Sequence, residues 1–131
     1  MIVVDTSALL AILNNEPERD RFLDILSDDE RPVVSAVTRY ETMPIAGTRR
    51  GPDNLADLAD LIEAAEAEIL PFDEDQARAA QAAYMVFGKG IDAAASLNLC
   101  DCVAYALAKR LDVPLLFKGQ DFAATDVVVA A

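Results

Sequence analysis

Five short runs rich in β-branched and aliphatic residues punctuate the chain: IVV at 2–4, PVVS at 32–35, EILPF at 68–72, PLLF at 114–117 and DVVVA at 126–130. Such runs, apolar on both faces, are the mark of buried strands. Between them the apolar positions recur every three to four residues, the period of a helix with one face inward. TSALLAILNN (6–15) has that spacing. So does EPERDRFLDILSDD (16–29), where Phe22, Leu23, Ile25 and Leu26 form the stripe. Ser35 is placed to cap a helix over 36–50, which Pro44 would kink. Residues 51–67 open with Gly-Pro and carry a stripe of Leu55, Leu58, Leu61 and Ile62. Asp73 and Gln76 resemble a capping box at the head of 74–87, and the GKG at 88–90 ends that helix. Residues 91–98 read as loop or a short helical turn, 101–111 as a helix, and 118–125 as loop.

Strand-like runs thus alternate with helical stretches. That pattern predicts an α/β fold: a five-stranded parallel sheet with helices on both faces, in three α/β/α layers. Neither an internal repeat nor an interdomain linker interrupts it, and 131 residues suit a single domain over 1–131.

Composition narrows the function. The net charge of −12 argues against a general electrostatic grip on nucleic acid, so such a contact would need local basic spots or metal ions. The apolar start lacks a basic region and is broken by Asp5, which is not the pattern of a signal peptide. No apolar run reaches the roughly 18 residues of a membrane span. Cys100 and Cys102 are too close for an ordinary disulfide and have no other cysteine to pair with. A reduced, cytoplasmic protein with two small core residues is the expectation. There is no histidine, which removes Ser-His and Cys-His nucleophiles and His-based zinc sites.

Four acids stand where chemistry is expected. In open parallel sheets ligands bind beyond the carboxyl ends of the strands. Asp5 ends the first strand, Asp121 follows the fourth, and Asp101 begins the helix that feeds the fourth. Glu41 lies in the helix after the second strand, in a row with Val37 and Ile45. Each has a plainer reading. Asp5 and Asp101 suit helix caps, Asp121 suits a turn, and Glu41 could pair with Arg39 or another cation. Taken together at one edge of the sheet they suggest a site. Clustered carboxylates stay ionised only beside a cation, and all-oxygen ligands favour Mg²⁺ or Mn²⁺, which activates water and neutralises phosphoryl oxygens.

The segments IVVDTSALLAIL, VVSAVTRYET, LNLCDCVAYALAK and LLFKGQDF…TDV resemble the PIN domains of VapC ribonuclease toxins, over nearly the whole chain from Ile2 to Val128. The resemblance implies a five-stranded parallel sheet and a Mg²⁺-dependent endoribonuclease held inactive by a cognate VapB-type antitoxin, and it implies a homodimer. It matches Asp5, Glu41, Asp101 and Asp121 to the family's acidic quartet. Asp5 and Asp101 take the positions most directly tied to metal, with Glu41 and Asp121 as further or water-mediated ligands. Thr6 or Ser7 matches the hydroxyl residue usual beside the first acid. The chain departs from the pattern in Cys100, where glycine is frequent, and in a GKG loop lacking the usual His-Pro. Asp126 is a second candidate for the fourth acid.

Two other classes compete. A phosphate-handling domain of the haloacid-dehalogenase or receiver type also sets an Asp after strand one, but Ser7 stands where the dehalogenase type needs a second Asp, and Asp73 is a poor phospho-acceptor. A catalytically silent PIN-fold binding module would keep the fold without the metal. For contact with RNA phosphates, Arg39, Arg49, Arg50, Lys89, Lys109 and Lys118 are the available cations, with Lys118 the best placed; each taken singly reads more readily as solvated surface.

Overall fold

The structure, a computed structural model, describes residues 1–28, 31–42 and 53–130, the last with side chains from Leu55 onward. Strand β1 (Ile2–Val4) runs into helix α1 (Thr6–Leu13), followed by α2 (Arg19–Asp28) and strand β2 (Pro32–Ser35). Helix α3 is described over 36–42, so Pro44, Ile45, Arg49 and Arg50 lie outside the described residues. Then come α4 (Asp53–Ala64), β3 (Glu68–Leu70), α5 (Glu74–Phe87), α6 (Leu99–Leu111) and β4 (Leu115–Leu116). A short 3-10 turn covers Phe122–Ala124.

The sheet is parallel, in the order β3-β2-β1-β4. Val3 is level with Val33 on one side and with Leu115 on the other. The two-residue alternation of strand side chains divides the core. Val3, Val33 and Leu115 point into the layer made by α5 and α6, with Leu97, Leu107 and Phe122. Ile2, Val4, Val34 and Leu116 point the other way, onto α1, α2 and α4, with Leu9, Phe22 and Ile62. This is the expected three-layer α/β/α arrangement.

Three expectations need correction. The sheet has four strands among the described residues. Residues 126–130 form only a parallel bridge between Leu115 and Val129, because Val127 turns into the core while Val128 and Val129 stay exposed. Leu55 is not part of the buried stripe of α4 but lies 43% exposed. Asp73 caps α5 through the Gln76 N–H at 2.9 Å, but the Gln76 amide turns to the Pro71 carbonyl, so half of the capping box forms.

Candidate active site

The strand order changes direction between β1 and β4, and the carboxyl ends of those strands carry the first and last of the expected acids. Asp5 leaves β1 and caps α1. Its Oδ2 accepts the Ser7 N–H at 3.0 Å and the Ser7 hydroxyl at 2.7 Å. The capping role and the site role are therefore one placement, since a cap at the end of a central strand faces the crevice. Asp5 is only 3% exposed. Burial, with Asp101 and Glu41 nearby, pushes its pKa up to about 7, against the pull of the Ser7 bonds.

Asp101 is set by a different device. Helix α6 starts at Leu99, two residues earlier than the apolar pattern suggests, with Asn98 as its cap. The Asp101 N–H donates to Asn98 Oδ1 at 2.7 Å, and the Asn98 N–H donates to Asp101 Oδ2 at 3.0 Å. This capping box holds Asp101 in the first turn of α6. Burial, with the charges of Glu41 and Asp121, raises its pKa to about 6 against the Asn98 bond.

Ser35 caps α3, accepting the Val37 N–H at 3.2 Å, and so aims the helix that carries Glu41. Glu41 takes its hydrogen bond from Thr6, whose hydroxyl lies 2.6 Å from Oε1; among the described residues no ion pair with Arg39 forms. Thr6, Thr38 and Thr42 are buried behind that contact, with the Thr42 hydroxyl 2.8 Å from the Thr38 carbonyl oxygen. The carboxylates of Asp5, Glu41 and Asp101 thus lie within electrostatic reach of one another, and that of Asp121 within reach of Asp101. Asp126 is not among them. Its carboxylate accepts the Tyr105 hydroxyl and lies 3.1 Å from Lys109 Nζ, contacts that hold its pKa down.

The cysteines part ways. Cys102 is a core residue, 1% exposed, as expected. Cys100 is not: it is half-buried, and its thiol meets Glu41 and the charges of Asp101 and Asp5, which together with burial push its pKa up to about 11. Its one signal in the sequence was its place directly before Asp101. Of the cations suggested for RNA contact, Lys109 is committed to Asp126 and Lys118 to Glu16 and Glu18.

The donors fit a hard divalent ion by chemistry. They are oxygen anions, two are partly desolvated, and no Lys or Arg among the described residues neutralises Asp5, Glu41, Asp101 or Asp121. They do not form a closed cage, since no group of three or more Asp, Glu or Cys among the described residues is gathered for one ion. An ion of the Mg²⁺ type needs only one or two carboxylates directly and keeps waters in its other positions.

Comparison with known proteins agrees with this architecture. The PIN domain family model matches residues 2–128. The chain is 39% identical to ribonuclease VapC30 of Mycobacterium tuberculosis over 130 residues, covering 99% of this chain and 98% of that one. Among solved structures, it resembles Mycobacterium tuberculosis VapC20, a sarcin–ricin-loop-cleaving toxin, at a TM-score of 0.80 and 17% identity, covering 98% and 97% of the two chains. It also resembles a chain of a toxin–antitoxin complex from Klebsiella pneumoniae at a TM-score of 0.73 and 19% identity, covering 98% and 96%.

Proposed function

The chain belongs to the PIN domain family, and on that premise we propose that it is a metal-dependent endoribonuclease, the VapC-type toxin of a toxin–antitoxin pair. The observation that carries this reading is that Asp5, Glu41 and Asp101 share one field at the carboxyl edge of the sheet, with Asp121 reaching it through Asp101. Asp5 and Asp101 are assigned to the metal directly, with Glu41 and Asp121 as further or water-mediated ligands, and Mg²⁺ or Mn²⁺ is the ion such donors select. When bound, the ion supplies an activated water and neutralises charge on the phosphodiester. The residues of the chain do the positioning. Thr6 holds Glu41, and the capping box with Asn98 holds Asp101. With no histidine available, general-base work falls to these carboxylates.

The partners follow from the same reading: RNA as substrate and a VapB-type antitoxin as inhibitor, an arginine side chain being the natural counter-ion for such a cluster. A homodimer is part of the proposal. Residues 79–87 carry no charge, and within them Met85 and Val86 are 67% and 58% exposed. Apolar side chains of that size left in solvent at the end of a helix are suited to a covering partner. Beside it lies an open groove of about 620 Å³, touched by Val37, Phe72, Tyr84 and Leu99. A face with both projecting and concave apolar features can pair with its own copy about a two-fold axis. We place the protein in the cytoplasm as a single domain over residues 1–131; among the described residues no helix is long and apolar enough to cross a membrane.

The test is cleavage of a fluorophore-quenched RNA by the purified protein, with Mg²⁺ or Mn²⁺, with EDTA, and with Glu41→Gln. Gln retains an acceptor for Thr6 and is expected to fold and lose most activity. Cleavage that survives EDTA, or a Glu41→Gln rate equal to wild type, refutes the metal–carboxylate reading.

A further inference from the structure

Lys118 was the sequence's best candidate for a phosphate contact, and its ammonium is already engaged. It lies 2.5 Å from Glu16 Oε2 and 3.2 Å from Glu18 Oε2, in the turn between α1 and α2. The side chains of the three residues are only 35%, 31% and 24% exposed. The backbone of the same lysine reaches the opposite way, its N–H donating to Ser7 Oγ at 3.0 Å. Gly119 follows at φ +109°, a conformation open to glycine, where the chain turns out of β4.

A hydroxyl has one hydrogen. With an N–H directed at its oxygen, the Ser7 hydroxyl sends that hydrogen to Asp5, 2.7 Å away at Oδ2. The Ser7 N–H goes to the same oxygen, so both donors fall on Oδ2 and leave Oδ1 free of them. Asp5 is thereby fixed in rotation, with one oxygen tied back to the fold and the other available.

We infer that Ser7 is a positioning residue for Asp5, and that the Lys118 pair with Glu16 and Glu18 is the latch that keeps the loop after β4 on the Ser7 hydroxyl. The inference rests on the proposed reading of Asp5 as a metal ligand and adds four residues outside the acidic quartet to the machinery of the site. The latch joins the α1–α2 turn to the β4 loop, segments more than 100 residues apart in the chain. Partners behind a metal ligand are worth about 10- to 100-fold in metal affinity where they have been removed.

Titration calorimetry with Mn²⁺ on the purified full chain tests it, with melting in EDTA as the check on folding. Ser7→Ala is expected to bind Mn²⁺ about 10-fold or more weakly while still melting cooperatively in EDTA, somewhat below wild type because the Lys118 N–H loses its acceptor. Ser7→Thr, which restores the hydroxyl, is expected to recover the affinity, which a merely structural role would not produce. Lys118→Met keeps the N–H and the stem but cuts the latch, and is expected to lose affinity by a smaller factor. Asp5→Asn is the reference for the underlying reading. If Asp5→Asn abolishes binding while Ser7→Ala binds as wild type, Ser7 positions nothing. Unchanged affinity in Lys118→Met overturns the latch, and that variant decides the matter should Ser7→Ala fail to fold. If Asp5→Asn itself binds Mn²⁺ as wild type does, the metal reading falls and the inference falls with it.

Discussion

Asp5→Asn exchanges a buried charge for a neutral group of the same shape, and its effect on stability should depend on pH. Asp5 is 3% exposed, with a folded-state pKa of about 7 against an ordinary 3.8. The cause is burial first, reinforced by Asp101 and Glu41. A raised carboxylate pKa means that between about pH 4 and pH 7 the folded state holds a proton that the unfolded state has released, so stability falls as pH rises through that window. At about 1.4 kcal/mol per pH unit, the ionised carboxylate costs the metal-free fold at most about 4 kcal/mol at pH 8. Relaxation and water entry lower this, and about 2 kcal/mol is the effect expected. Asparagine removes it. Its Oδ1 still accepts the Ser7 N–H and hydroxyl, so the cap survives.

At a few degrees per kcal/mol for a chain of this size, Asp5→Asn should melt roughly 5–10 °C above wild type at pH 8 in EDTA, and level with it near pH 4. Saturating Mn²⁺ should invert the order. An ion at 100 times its dissociation constant stabilises the fold that binds it by about 2.7 kcal/mol, and the Asn variant should gain little. Thermal melts followed by circular dichroism at the two pH values, with and without Mn²⁺, decide it. A gap between variant and wild type that is the same at pH 4 and pH 8 would show that the Asp5 charge is not the destabilising element. An equal Mn²⁺ response in both proteins would show that Asp5 is not a ligand.

Other outcomes are open to direct measurement. Phe22, on α2, is fully buried in the core with Leu9, Val34 and Ile62, so Phe22→Ala should cost about 3–5 kcal/mol in urea unfolding. Cys102→Ala should cost about 1 kcal/mol and leave RNA cleavage per folded molecule unchanged, because that thiol only packs. Met85→Glu adds a charge to the uncharged C-terminal half of α5 and should convert a dimer into a monomer in sedimentation; a wild-type chain already monomeric at micromolar concentration refutes the self-pairing. Ca²⁺ should not replace Mg²⁺ in cleavage, since it is larger and less strict about geometry; equal rates with the two ions would count against an ordered metal site.

Much of the fold was legible in order along the chain, because period and capping are local properties. The β-branched run PVVS is the whole of β2, and Ser35 caps α3 as its hydroxyl suggests. Asp5 was legible both as a cap and as an acid at a strand end, and it is both. Cys102 was legible as core because it sits on the apolar side of a helical repeat.

What the sequence could not decide depends on which distant segments meet. Asp121 and Asp126 look alike as acids near the chain end, but packing of α6 gives Asp126 to Tyr105 and Lys109 and leaves Asp121 in the field of Asp101. Lys118 looked like a free cation until the α1–α2 turn was folded against it. The run DVVVA has strand composition, but among the described residues it meets the sheet through Leu115 alone and Val127 is drawn into the core, so a bridge is what forms. Composition and periodicity set each element and its buried face. The partners of a charge or a strand edge are set by three-dimensional proximity between residues up to 111 positions apart, as between Ser7 and Lys118, which no local pattern carries.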